Sequence, residues 1–190
     1  MADIPCGPRP WDRETALLPA RSATEAQLYL DLHPCGCGTA RLRSTQDLRA
    51  DGNGGFISVY EGACSGCGRQ WRAAFILPAS PPVAGLIGGR EPSQIIDPGE
   101  WLWLSDRDAS GAAGPEAPAL LDRAAAAAEE AAKFIPAGAD RVPGDAFRST
   151  LGRAMRDAVP GRFLKADLDE RARLYRARES TMAGSVPGAS

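Results

Sequence analysis

Apolar and polar positions alternate in short runs through the first half of the chain and recur at helical spacing through the second. Leu28, Leu30 and Leu32 alternate with polar or larger neighbours, and Ala40-Arg-Leu42-Arg43 alternates again; both runs predict strands. Asp51-Gly-Asn-Gly-Gly55 is a strong turn signal that leads into a strand beginning Phe56-Ile-Ser-Val-Tyr60. Trp71, Ala73, Phe75 and Leu77 alternate in their turn, although Trp71, Ala74 and Phe75 also fit one face of a helix. Residues 78–96, rich in Pro and Gly, read as a surface loop.

The punctuation then changes. Asp97-Pro98-Gly99-Glu100 predicts a helix start, with Asp97 as N-cap, Pro98 in the first turn and Glu100 completing a capping box. This short helix carries Trp101-Leu102-Trp103-Leu104. Two such Trp residues point about 200° apart on a helix, so one core cannot hold both easily. Trp101, beside the capped end, is expected to be held against the preceding sheet, and Trp103 to be the more exposed. Ser110-Gly-Ala-Ala-Gly-Pro-Glu-Ala-Pro118 reads as a linker. Amphipathic helices are expected over about 119–135, 144–158 and 164–178. The organisation predicted is a tail (1–22), a β domain with loop and short helix (23–110), a linker (111–118), a helical region (119–178) and a second tail (179–190).

Composition makes the core thin. Leu, Ile, Val and Phe supply 34 of 190 residues, under the roughly 20% at which disorder becomes a serious reading. The formal net charge of −2 removes the other half of the disorder signature. Something besides aliphatic burial is therefore expected to help hold the fold. No apolar run is long enough for a membrane span, and the first residues lack a basic start followed by an apolar stretch, so a cytoplasmic protein is expected. Twenty Arg against two Lys, with abundant Ala, Gly and Pro, suggest a GC-rich bacterial origin.

The cysteines supply the chemistry. Five are present, an odd number that argues against a disulfide scaffold. Cys6 stands alone. Cys35 and Cys37 form one close pair and Cys64 and Cys67 another, with 26 residues between the pairs. Four thiolates in two short-spaced pairs can surround one tetrahedral Zn²⁺, and Gly38 and Gly68 allow each chain segment to turn tightly behind its pair. The single-residue gap in Cys35-Gly-Cys37 is short for such a turn, which leaves open that His33, the only histidine, replaces Cys35 as a ligand. The alternative for His33 is a position behind the ligands or simple exposure. A thioredoxin-like redox pair would need a helix beginning at Cys64, where the pattern favours a strand after Cys67. A zinc deaminase would need His-x-Glu and a Pro before its CxxC, where the chain offers His33-Pro34-Cys35 and Ala63.

Strand, cysteine turn, strand, Gly-rich turn, strand, cysteine turn, strand over residues 27–77 resembles a zinc ribbon. The resemblance implies an antiparallel ribbon sheet gripping one structural Zn²⁺; with the Trp-bearing helix and the helical region read from the pattern, an α+β chain is expected. The blocks LDLHPCGCG, YEGACSGCGRQW, EPSQIIDPGEWLWLSD and KFIPAGADRVPGDAF are together similar to a group of actinobacterial proteins associated with polymorphic-toxin and immunity gene neighbourhoods. That similarity implies an immunity-type partner and supplies no catalytic residue. A fold of this kind is not an activity.

Charge weighs against nucleic acid. Residues 21–77 hold 6 Arg against 5 acidic residues, and four thiolates with one Zn²⁺ would add two negative charges. Arg171, Arg173, Arg176 and Arg178 crowd the last helix, either as a solvated helix end or as a phosphate patch. With one histidine and no nucleophile–base pairing, a non-enzymatic zinc-binding module that meets a protein partner through Trp103 and its neighbours is the leading expectation. A nucleic-acid-associated ribbon is the alternative.

Overall fold

The computed structural model describes residues 17–39, 42–80 and 87–183. Cys6, Ala40 and most of the first tail lie outside them. Among the described residues the chain is α+β, with a four-stranded mixed sheet and five α-helices, and it divides into two compact units at Gly88/Gly89.

The first unit holds β1 (Leu17–Pro19), α1 (Ala23–Leu32), β2 (Leu42–Ala50), β3 (Phe56–Cys64) and β4 (Gln70–Leu77). The strand order is β1-β4-β3-β2. The β2–β3 and β3–β4 pairs are antiparallel, whereas β1 lies parallel to β4 through Leu17↔Ala74, Leu18↔Phe75 and Pro19↔Ile76. The expected antiparallel sheet is thus corrected to a mixed one. The extra strand comes from the end of the segment assigned to the first tail.

A second correction concerns Leu28, Leu30 and Leu32, which belong to α1 and not to a strand. Ser22 caps the helix, its hydroxyl accepting from the Glu25 N–H at 3.0 Å. The Glu25 carboxylate reaches back to the Arg21 N–H at 2.6 Å, so the N-terminal donors are satisfied from both sides. The residues α1 buries are Glu25, Ala26, Tyr29 and Leu30, at the i, i+1, i+4, i+5 spacing of a helix face. Tyr29 meets Phe75 edge-on at 6.0 Å between centroids, and Tyr60 meets the same ring at 5.7 Å. These rings form the core of the unit between α1 and one face of the sheet.

The second unit holds α2 (Pro98–Ser110), α3 (Ala117–Ala132), α4 (Thr150–Ala158) and α5 (Lys165–Ala183). The expected capping box is present: the Asp97 side chain accepts from the N–H groups of Gly99 and Glu100, and Glu100 accepts from the Asp97 N–H. The second Asp97 oxygen accepts from Arg148 and Ser149 at 2.9 and 2.7 Å. Ser149 in turn caps α4. One buried carboxylate therefore ties the starts of two helices together. A Cβ on Gly99 would run into the backbone of Gly152, and one on Gly152 into the Asp97 carboxylate, so neither position has room for a side chain. The capped end of α2 was expected to be held by the sheet; the start of α4 holds it.

The Ala run of α3 is a packing surface. Ala124, Ala125, Ala127, Ala128 and Ala131 are buried, and α3 packs against both α2 and α5. Small side chains let the backbones approach: the Ser105 hydroxyl donates to the Ala124 carbonyl at 2.8 Å. The segment read as a linker between domains contains a 3-10 turn over Gly114–Glu116 that runs directly into α3, and α2 belongs with the helices that follow it. At the other end α5 continues to Ala183, into the segment assigned to the second tail.

Candidate metal centre

Two tight turns present the four cysteines. In the first, after α1, Gly38 donates to the Cys35 carbonyl at 2.8 Å, and the Cys35 N–H donates to the Thr39 carbonyl at 3.3 Å. In the second, between β3 and β4, Gly68 donates to the Cys64 carbonyl at 2.8 Å, and the Cys64 N–H donates to the Arg69 carbonyl at 2.9 Å. The two turns share one plan, and the first is a residue shorter. Each depends on a glycine at positive φ, 84° at Gly38 and 72° at Gly68, where a Cβ would be strained.

The turns bring the sulfurs together. Cys35 Sγ lies 3.5 Å from Cys67 Sγ, and Cys37 Sγ lies 3.5 Å from Cys64 Sγ. All four Sγ atoms fall within 4.8 Å of one another, an arrangement that can hold a metal ion. These separations exceed the roughly 2.05 Å of a disulfide bond, and the cysteines are in the thiol form. Cys35 and Cys64 are each 2% exposed, while Cys37 and Cys67 face solvent. One inner and one outer sulfur therefore come from each turn.

The electrostatics are those of crowded thiols. Hydrogen bonding to Thr39, through its side chain first and its backbone second, lowers the Cys37 pKa. At Cys67 the Arg69 backbone N–H pulls the pKa down. The neighbouring thiols, Cys35 foremost, outweigh it, and the pKa is pushed up to about 12. Four sulfurs this close cannot all carry charge without a cation among them.

Two residues not singled out from the sequence complete the site. Thr39 Oγ1 is 3.3 Å from Cys37 Sγ. Gly66, inside the second cysteine turn, lies so close that a Cβ there would collide with Thr39 Oγ1 and sit 3.4 Å from Cys37 Sγ. The only sequence signal for this contact was the small residue between Cys64 and Cys67.

His33 is turned elsewhere. It ends α1, its Nδ1 lies 2.7 Å from the Tyr29 carbonyl, and its ring stacks obliquely on Tyr29 at 4.2 Å. The four-sulfur group does not include it. Trp101 is fully buried in α2, whereas Trp103 is half-buried, with the Arg107 guanidinium 5.5 Å from its ring centre.

Three of the four arginines of α5 are engaged in ion pairs, and Arg178 is exposed. Arg171 meets Asp106 at 3.2 Å, Arg173 meets Glu170, and Arg176 meets Asp122 and Glu129. Arg162 joins Asp106 at 2.5 Å. The Asp106 pairs fasten α5 and the segment before it to α2, the Arg176 pairs fasten α5 to α3, and Arg173–Glu170 lies within α5. No described helix is long and apolar enough to cross a membrane.

Comparison of the chain with models of known families, with curated proteins and with solved structures finds no match.

Proposed function

We propose that the chain is a non-enzymatic protein-binding protein whose first unit is a zinc ribbon stabilised by one structural Zn²⁺ on Cys35, Cys37, Cys64 and Cys67. The observation that carries the metal reading is the gathering of four thiol sulfurs, two from each of two like-built turns, within 4.8 Å of one another. A tetrahedron with Zn–S bonds of 2.3 Å has sulfur–sulfur edges of about 3.8 Å, which the observed spacing needs little adjustment to reach. Soft thiolates without nitrogen or oxygen ligands favour Zn²⁺ over hard cations. A Cys₄ set fills the coordination sphere and leaves no position for water or substrate, the mark of a structural site. Zinc-finger peptides gain about 10–16 kcal/mol from their metal, ample to offset a thin core.

For the binding role, α2 presents a half-buried Trp103 next to a fully buried Trp101, and a Trp of that kind suits an interface anchor. The resemblance of the four sequence blocks to actinobacterial proteins of toxin and immunity neighbourhoods favours a protein as the partner, met in the cytoplasm. The nucleic-acid reading loses ground, because Arg171, Arg173 and Arg176 already face carboxylates.

Elemental analysis tests the metal directly. Purified protein is expected to carry one zinc per chain, and Cys64→Ser is expected to lose both the metal and the fold of the first unit. A wild-type protein that is well folded and free of metal overturns the zinc reading. Steeply salt-dependent binding to DNA or RNA in a gel shift would overturn the preference for a protein partner.

A further inference from the structure

Strand β2 stands at the edge of the sheet, and among the described residues no strand lies beyond it. It pairs with β3 along all nine residues, so its outer side offers a long row of backbone donors and acceptors. Residues 45–50 are all exposed, and Leu48 is 55% exposed. At the turn end the Asp51 N–H donates to the Gly55 carbonyl at 3.1 Å, one step beyond the Ala50↔Phe56 pair. The antiparallel alternation then turns odd-numbered residues of the strand toward β3 and leaves the N–H and C=O groups of Gln46, Leu48 and Ala50 pointing outward.

We propose that this edge pairs antiparallel with β2 of a second copy of the chain, about a two-fold axis at Leu48. The side-chain pattern is self-complementary in that register. Leu48 faces Leu48 of the second copy, and Gln46 faces Ala50. Asp47 stands opposite Arg49 of the second copy, and Arg49 opposite its Asp47. Within one strand Asp47 and Arg49 already form an ion pair on the same face at 2.6 Å. Pairing would close them into a ring of alternating charge, while the two leucines cover one another on the other face. Neighbouring registers are repulsive. An axis at Asp47 sets two carboxylates against each other, and an axis at Arg49 opposes two guanidiniums and places Asp47 against Asp51.

This interface goes beyond the zinc reading and uses none of the metal ligands. Sedimentation velocity on the full chain tests it with the variants Asp47→Arg and Arg49→Asp. Both side chains are well exposed, so neither substitution is expected to unfold the sheet. The wild type is expected to associate reversibly. Each single variant sets like charges opposite one another and is expected to weaken association by about tenfold or more. An equimolar mixture of the two is expected to associate again, because each D47R strand presents two guanidiniums to the two carboxylates of an R49D strand. The double variant D47R/R49D is expected to regain self-association. Metal content measured on every sample separates a failure of the zinc site from a failure of the interface. A wild type still monomeric at about 1 mM overturns the proposal. So does association that the single variants leave intact, or a mixture that fails to associate.

Discussion

Gly66 and Thr39 come from different cysteine turns, and they approach so closely that a Cβ on Gly66 would overlap the Thr39 hydroxyl. The contact sets the spacing of the two turns, because Thr39 Oγ1 also lies 3.3 Å from Cys37 Sγ. Gly66→Ala must push the Thr39 side chain away, and Cys37 loses its hydrogen bond to the Thr39 hydroxyl. Metal affinity is expected to fall by about 10–100-fold, as it does when residues that orient ligands are altered. Thr39→Ala made together with Gly66→Ala is expected to cost less than the two single losses combined, since the collision and the lost hydrogen bond concern the same atoms. Chelator competition on the four proteins measures the coupling, and strict additivity would separate Gly66 from Thr39.

Proton release accompanies metal binding. Without a cation, Cys67 keeps its proton up to about 12, and a thiol that ligates must give it up. Zn²⁺ affinity is therefore expected to rise with pH across the neutral range. The binding enthalpy is expected to vary with the ionisation enthalpy of the buffer. Calorimetry at one pH in two buffers reads the number of protons released. A value of zero contradicts thiol ligation.

His33 is expected to be dispensable for the metal. Its Nδ1 sits on the Tyr29 carbonyl and its ring on the Tyr29 ring, so His33→Ala removes packing at the end of α1 and leaves four sulfurs in place. The variant is expected to retain one zinc per chain and to lose about 1 kcal/mol or less of stability. Loss of metal equal to that of Cys35→Ala would make His33 a ligand.

The parts of the fold that were legible in the sequence are those written in local chemistry. Asp97 and Glu100 spelled a capping box before the helix they start, and the Gly-rich run 51–55 marked the hairpin between β2 and β3. The four cysteines announced their grouping by spacing alone. Before the first cysteine turn, Leu28, Leu30 and Leu32 carry a period of two that points to a strand where a helix forms. The cap at Ser22 and Glu25, three residues apart, was the better signal, and Ala26, Tyr29 and Leu30 supply the buried face. Strand β1 had no local signature: three residues ending in Pro19 become a strand only because β4 offers an edge. The contact between Gly66 and Thr39 was equally hidden, since it exists only once two distant turns meet.

The last prediction separates the two tryptophans of α2. Trp101 is fully buried, and its indole N–H has no hydrogen-bond partner, so its contribution is packing alone. Trp101→Ala is expected to lower stability by roughly 3–5 kcal/mol, the range for truncating a buried aromatic. Trp103 is half-buried, and the contact resolved at its ring is the Arg107 guanidinium at 5.5 Å, worth about 0.5–1 kcal/mol at an exposed site. Trp103→Ala is therefore expected to cost about 1 kcal/mol of stability. If Trp103 anchors a protein partner, the same substitution is expected to weaken that complex by more than about 1 kcal/mol. Urea unfolding of both variants reads the first difference. Equal and large stability losses would place both rings in the core and leave α2 without an aromatic to offer a partner.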